Sequence, residues 1–321
     1  MHHIVILDSL TANPGDLSWD FLKKYGTLDV YDRSTPAETI ERARDADIVV
    51  INKTVLSRQT LEKLPKLRFI TLLATGYNIV DTAAADELGI TVSNVPSYST
   101  DAVSQQVFAF ILDFANRVGL HSDCVMKGDW VSCSDFSFIK APLYELAGKT
   151  IGIIGYGRIG RRVGEIARAF GMRVLVNTAH PEKYAGEKVC FMTLDEMLPK
   201  CDFVTVHCPL TPETDKLVNK AFIAKMKDGA FLINTSRGAE LDENDVAEAL
   251  NSGKLAGAGV DVLSSEPPCD TNPLLHAKNI RITPHIAWAP FETRKRLLGV
   301  TDDNVRAFCE NAPINVVNHP K

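Results

Sequence analysis

The sequence is short of paired cysteines, of basic charge and of long apolar runs, and each shortage closes off a class of protein. Its seven cysteines (124, 133, 190, 201, 208, 269 and 309) are odd in number, scattered, and form no CxxC pair. That usage points to reduced thiols in a cytoplasm rather than to a disulfide framework or a zinc site. Acidic residues outnumber basic ones, 40 to 35, for a formal net charge of −5, which leaves no basic face for nucleic acid. No apolar run approaches the roughly 18 residues of a membrane span. The opening stretch, MHHIVILDSL, lacks the charged and apolar regions of a signal peptide and has the pattern of a strand. Repeats and low-complexity tracts are missing too. The expectation is a cytoplasmic protein with no nucleic-acid, membrane or metal partner.

What is present is a regular alternation. The chain has 321 residues, 45% hydrophobic and 23% charged, ordinary values for a globular enzyme and enough length for two domains. Short apolar runs (HIVILD, LDVYD, DIVVI, FITLLAT, ITVSNV) are separated by helical stretches such as PAETIERARDA and SRQTLEKL. A second set begins at TIGIIGYG and continues through RVLVN, DFVTVHC, GAFLINT, GAGVDV and IRIT. This is the pattern of parallel α/β units. Thr193 and Glu196 have capping-box spacing at a helix start. Between the sets, residues 101–146 begin with a long helix followed by an irregular segment whose apolar density suits an interface. The sequence therefore predicts two Rossmann-like, doubly wound domains with a cleft between them. The first comprises residues 1–100, completed by 290–321, and the second comprises 101–289.

In TIGIIGYGRIGRRVGEIARAFG, an apolar strand runs into Gly155-Tyr156-Gly157-Arg158-Ile159-Gly160. Apolar residues then recur with helical spacing at Ile159, Val163, Ile166, Ala167 and Phe170. The order has a physical reason. Gly155 permits a tight turn, Gly157 lets the backbone approach a pyrophosphate, and Gly160 allows close helix–strand packing. The helix N-terminus then offers unpaired N–H groups and a positive dipole to the phosphates. A dinucleotide site follows. An acid usually stands about twenty residues on and grips the adenosine ribose, but RVLVNTAH places Asn177 there.

Three further strand ends carry polar residues: FLINTSRGAELDE, GVDVLSSEPP and IRITPHIAWAP. Carboxyl ends of parallel strands face the ligand crevice, so Arg237, Glu266 and His285 are expected to converge. Each alone suits a plainer role. Arg237 could pair with Glu240 or Asp242, Glu266 could be a solvated turn residue, and His285 could be a satisfied half-buried histidine. At three strand ends together, a shared site is the better account.

In these stretches the chain resembles the NAD-dependent D-isomer-specific 2-hydroxyacid dehydrogenases over nearly its whole length. ATGYNIVD resembles the family's substrate-side turn, GIIGYGRIG its cofactor turn and HCPLTPET the segment beneath the adenosine. INTSRG, DVLSSEPP and TPHIAW resemble its arginine, glutamate and histidine motifs. NPGDLSW, NKTVL, YSTDAV, the tryptophan of TPHIAW and the ending NVVN look closer to the glycerate dehydrogenase (hydroxypyruvate reductase) branch.

The resemblance implies roles that also make chemical sense. Arg237 would hold the substrate carboxylate as a bidentate fork and help polarise the ketone. His285 would donate a proton to the carbonyl oxygen as hydride arrives, and accept it in reverse. Glu266 would bond the second imidazole nitrogen, fix the tautomer and favour the charged ring. Thr75 and Gly76 would offer backbone N–H groups to the carboxylate, although Ala74 replaces a glycine common in the family. Lys53 is a candidate second cation for the substrate, or a solvated lysine after a strand. Trp288, with Trp130, Phe136 and Phe138, either shapes the substrate pocket or packs an interface. Asp261 resembles the residue that bonds the nicotinamide carboxamide. Thr235 and Ser236 would lie along the cofactor, Thr100 and Val103 near the nicotinamide, and Cys208 and Pro209 along the adenosine wall. His207 is expected to be structural, and Cys208 has no base beside it except His207 to make it a nucleophile.

The expected reaction is reduction of a 2-keto acid to its D-hydroxy acid, with hydroxypyruvate and D-glycerate the preferred pair. Glyoxylate, pyruvate or another keto acid is the alternative substrate, and a dinucleotide-sensing module of corepressor type the alternative class. NAD(H) is the expected cofactor. NADP stays open because Asn177 brings no repulsion toward a 2′-phosphate, while His180 and Lys183 supply no fixed cation. The family resemblance also implies a homodimer through residues 101–146.

Overall fold

The computed structural model describes residues 1–184, 186 and 189–320. Its elements, in chain order, are β1 (His2–Ile6), β2 (Gly26–Val30), α1 (Pro36–Ala43), β3 (Ile48–Ile51), α2 (Arg58–Leu61), β4 (Phe69–Leu72), α3 (Thr82–Glu87) and β5 (Thr91–Ser93). Then come α4 (Thr100–Asn116), α5 (Val118–Met126), β6 (Thr150–Ile154), α6 (Arg158–Ala169), β7 (Arg173–Asn177), β8 (Cys190–Phe191), α7 (Leu194–Met197) and β9 (Phe203–Val206). The last six are α8 (Lys220–Lys225), β10 (Ala230–Asn234), α9 (Glu243–Ser252), β11 (Leu255–Val260), β12 (Ile280–Ile282) and α10 (Phe291–Cys309). Two compact units result: Met1–Tyr98 with Ala289–Lys321, and Ser99–Trp288.

The first unit is a five-stranded parallel sheet in the order β2-β1-β3-β4-β5. Strands β3 and β4 are buried along their whole length, as expected when helices cover both faces of a parallel sheet. The helix α10 closes this unit from the far end of the chain. Its Asn304 is fully buried and donates through Nδ2 to the Asn94 carbonyl at 2.9 Å and toward Thr71 Oγ1 at 3.2 Å. A buried amide must be satisfied, so this contact fixes α10 against β4 and β5.

The second unit is a seven-stranded parallel sheet in the order β12-β11-β10-β9-β6-β7-β8. Its α4 covers one face with Val107, Phe110, Ile111 and Phe114, all buried. The capping box at α7 is present, with Glu196 N–H donating to Thr193 Oγ1 and Thr193 N–H to Glu196 Oε2. Two details depart from the sequence expectation. The two-residue β8 is too short to leave a pattern. The long helix does not run into irregular chain: it stops at Arg117, which turns to φ +50, and a second helix, α5, follows. That helix buries none of its residues, so it carries no apolar stripe to announce it.

Candidate active site

In the second unit the candidate residues stand where the strands end. Gly155 closes β6 with φ +88, and a Cβ there would lie 2.5 Å from the Cys208 nitrogen. Only glycine fits that turn. Gly160 is equally constrained, since a Cβ would meet the Gly155 carbonyl oxygen at 2.1 Å. Gly157 caps α6 and faces open space, with no atom within 4 Å of where its Cβ would be. Arg158 is exposed on the first turn of α6, and Ile159 is half-buried beside it. A tight, packed turn opening onto free backbone N–H groups at a helix start is what a pyrophosphate requires.

Other groups along this edge fit a dinucleotide. Thr235 Oγ1 is sealed from solvent and has no hydrogen-bond partner, and His207 Nδ1 is orphaned in the same way. Burial holds His207 down to about 3, so its ring stays neutral, and Nε2 meets Thr205 Oγ1 at 2.9 Å. Asn177 ends β7 and donates through Nδ2 to the Met192 carbonyl at 2.9 Å. Its amide is thereby oriented, and Oδ1 is left as the acceptor. His180 pairs with Glu182 at 3.2 Å. Cys208 is half-buried and Pro209 exposed at the end of β9. Burial pushes the Cys208 thiol up to about 12, so it stays protonated and is no nucleophile. Val103 is buried on the first turn of α4 just after Thr100, on the face that also carries Val107 and Phe110.

The three catalytic candidates come from neighbouring strands, β10, β11 and β12. Main-chain bonds tie those strand ends together: Asp261 N–H donates to the Asn234 carbonyl at 2.9 Å, and His285 N–H to the Asp261 carbonyl at 2.7 Å. His285 Nδ1 meets Glu266 Oε2 at 2.6 Å, with both side chains partly open to solvent. Glu266 Oε1 accepts from Leu263 N–H at 3.1 Å, so the carboxylate is braced from its own loop. Gly238, next to Arg237, lies so close to that loop that a Cβ would sit 1.9 Å from the Leu263 carbonyl carbon. The arginine turn and the glutamate loop are therefore in direct backbone contact. Arg237 does not pair with Glu240 or Asp242 through its guanidinium. Asp242 binds Lys216, and Arg237 Nη1 donates to the Ser236 carbonyl at 2.8 Å.

Further residues organise the site, and two of them, Gln106 and Asn234, had no sequence signal of their own. Asp261 is buried and takes bonds from Thr283 Oγ1 at 2.5 Å, Ile286 N–H at 2.9 Å and Ala287 N–H at 2.8 Å. It thus holds the loop in which His285 adopts the left-handed φ of +54, a conformation that persists only when its surroundings over-determine it. Burial raises the Asp261 carboxyl, and these donors oppose the rise. Gln106 Nε2 on α4 reaches Thr283 Oγ1 at 3.4 Å. Asn234 is fully buried and clasps the arginine turn, accepting from Ser236 N–H at 2.9 Å and donating to the Arg237 carbonyl at 2.8 Å. Trp288 is half-buried at the end of this unit.

The first unit carries its candidates in two turns. Thr75 Oγ1 donates to the Val95 carbonyl at 2.9 Å, and the Thr75 carbonyl accepts from Asn94 Nδ2 at 2.7 Å. The turn leading to Gly76 is thus pinned from behind. Lys53 is exposed just after β3, in a turn whose amides are gathered by one carboxylate. Asp8 accepts from the N–H groups of Asn52 at 2.8 Å, Lys53 at 2.5 Å and Thr54 at 2.8 Å. Among the described residues, no cluster of three or more His, Cys, Asp or Glu side chains is arranged for a metal ion. Among the same residues, no helix is long and apolar enough to cross a membrane.

With this geometry in place, the class is defined. The chain belongs to the D-isomer-specific 2-hydroxyacid dehydrogenases, oxidoreductases acting on the CH–OH group of 2-hydroxy acids, and residues 108–287 match that family's NAD-binding domain. It is 49% identical to a hydroxypyruvate reductase of Blautia hydrogenotrophica, over 98% of this chain and 99% of the relative. It is 39% identical to a glycerate dehydrogenase of Methylorubrum extorquens, over 88% of this chain and 89% of that one. A D-lactate dehydrogenase of Aquifex aeolicus, solved with NAD and lactic acid, superposes with a TM-score of 0.86 at 29% identity. That match covers 99% of this chain and all of the other.

Proposed function

We propose that the protein reduces hydroxypyruvate to D-glycerate, with NADH as the favoured coenzyme. The observation that carries the chemistry is the His285–Glu266 contact of 2.6 Å at the end of a strand neighbouring the glutamate and arginine turns. The dihydronicotinamide of a bound coenzyme would supply the hydride for the carbonyl carbon. His285 delivers the proton to the carbonyl oxygen from Nε2, since Glu266 holds Nδ1 and so sets which nitrogen faces the substrate. Arg237 grips the carboxylate with its planar fork. In the first unit, Thr75, Gly76 and Lys53 are groups suited to binding a carboxylate. Asp261 serves mainly to hold the histidine loop, and Trp288 to wall the pocket.

The coenzyme preference rests on Asn177. Its Oδ1 accepts from a ribose hydroxyl as a carboxylate would, without the charge that repels a 2′-phosphate. Glu182, 3.2 Å from His180, adds an acid to this loop, which disfavours a 2′-phosphate. Discrimination is therefore weakened but leans toward NADH. Residues 118–144 expose Val118, Leu120, Met126, Trp130, Phe136 and Ile139 among other large apolar side chains. The same unit carries an apolar groove of about 470 Å³ lined by Phe108, Leu112, Ile166 and Phe170. Apolar surface on that scale supports a homodimer through this segment.

Turnover with hydroxypyruvate, glyoxylate and pyruvate, each with NADH and NADPH, tests the assignment. The highest kcat/KM is expected for hydroxypyruvate with NADH, and Asn177→Asp should widen the NADH preference by about tenfold, some 1.4 kcal/mol. Absence of turnover across the panel would overturn the enzymatic assignment, and a better keto acid would replace the substrate.

A further inference from the structure

One buried carboxyl has no part in the chemistry above. Glu240, at the end of the turn that begins with Arg237, is fully buried. Its Oε2 accepts from the Arg237 N–H at 3.3 Å. Its Oε1 lies 3.2 Å from Ser236 Oγ and 3.6 Å from Cys208 Sγ. Among the described residues it makes no ion pair. Ser236 Oγ is also 2.8 Å from the Cys208 carbonyl. One hydroxyl hydrogen thus has two acceptors, and the protonation of Glu240 decides which receives it. When ionised, Glu240 competes for that hydrogen. When protonated, it can donate to Ser236 Oγ, and the hydroxyl turns fully to the Cys208 carbonyl. The cluster joins the arginine turn to the wall formed by Cys208 and Pro209.

We propose that Glu240 is a positioning residue that takes a proton from solvent when the anionic coenzyme and keto acid bind, locking Ser236 onto the Cys208 carbonyl. The proposal rests on the coenzyme site and the role of Arg237 given above. A buried negative charge behind Arg237 opposes two anions at once, and burial keeps bulk solvent from screening it. By linkage, ligands that disfavour the charged form must raise the carboxyl's proton affinity, and they bind less tightly as it ionises.

Burial already pushes the Glu240 carboxyl up to about 7, so the exchange falls in the neutral range. The groups facing it do not titrate there. Cys208 stays protonated, with its thiol up to about 12, and His207 stays neutral at about 3. The Arg237 N–H, the Ser236 and Cys208 side chains and the guanidinium charge of Arg237 favour the ionised carboxylate and oppose the rise that burial causes. On the adjoining segment Lys216 and Asp242 form an ion pair, which raises the lysine and lowers the aspartate.

Calorimetric titration of NADH into the full-length protein near neutral pH, in buffers of different ionisation enthalpy, counts the protons taken up. The wild type is expected to gain roughly 0.3 proton per site more than Glu240→Gln. Its NADH Kd should weaken by about threefold from pH 6 to pH 8, while that of the variant stays flat. Glu240→Met, of similar volume, should behave like Glu240→Gln and serves if the amide disturbs folding. A merely structural glutamate would change affinity without changing proton count. NADH binding to wild type and either folded variant with equal proton uptake would overturn the proposal alone. Failure of the wild type to bind NADH would overturn the coenzyme assignment and this proposal with it.

Discussion

Both sheets reverse their strand order once, between β1 and β3 in the first unit and between β6 and β9 in the second, and the two reversals are used differently. Such reversals open a crevice at the carboxyl edge of a parallel sheet. In the second unit the crevice is kept clear: Gly155 packs its backbone against His207 and Cys208, and Gly157 faces open space. In the first unit the chain fills the crevice itself, with the Asp8 carboxylate gathering the three consecutive amides of Asn52, Lys53 and Thr54. An internal anion thus occupies in one sheet the kind of place that the other offers to a phosphate. The same fold logic gives a ligand site in one case and a rigid turn in the other. What separates them is whether glycine or aspartate follows the first strand.

The comparison can be broken experimentally, beginning with the largest effect. His285→Ala removes the proposed proton donor from the second unit and should lower kcat by roughly 10²–10⁴-fold. The NADH Kd should hold; near-native turnover by a folded variant would dismiss His285 as donor. Glu240→Gln should come next, as a gain of stability with a definite pH dependence. Below the ordinary glutamate value of 4.5, folded and unfolded chains are both protonated and the carboxyl costs nothing. Between 4.5 and about 7 only the unfolded chain ionises, so the wild type loses stability relative to the variant as pH rises. Above that range the difference is complete, on the order of 3 kcal/mol. Urea unfolding at pH 5 and pH 8 measures it, and equal differences at the two values would contradict the burial argument. The smallest effect belongs to Asp8→Ala in the first unit. Loss of the charged acceptor should cost about 2 kcal/mol and raise the keto-acid KM several-fold, without altering the NADH Kd. A changed NADH Kd would mean that the two reversals are not independent.

Much of this arrangement was legible because it is local. The glycine turn, the strand before it and the amphipathic helix after it lie within a short stretch, and period-2 and period-3.6 patterns mark them. Arg237, Glu266 and His285 could be placed because each follows an apolar run that ends abruptly. Asp8 also ends such a run, but its partners lie 44 to 46 residues away, and no spacing announces that pairing. Glu240 has the look of a helix-entry acid in SRGAELDE. Only the packed structure seals it from solvent and, among the described residues, leaves it in no direct ion pair. Asp261 resembles a cofactor-contacting residue in the sequence, but no spacing announces the three bonds by which its carboxylate organises the loop of His285. Arg117 could not be identified as a helix break, because an arginine at positive φ is set by the surrounding fold and not by its own preference.

The bonds that run from the Asn234 carbonyl to Asp261, and from the Asp261 carbonyl to His285, extend main-chain pairing past the ends of the strands. The proton donor and the Asp261 that holds its loop are therefore tied by main-chain bonds to the strand ends. Their spacing is settled when the domain folds, so no ordering entropy has to be found afresh in each catalytic cycle. Substrate preference can then drift through surrounding side chains while the reacting geometry is inherited unchanged from the main chain.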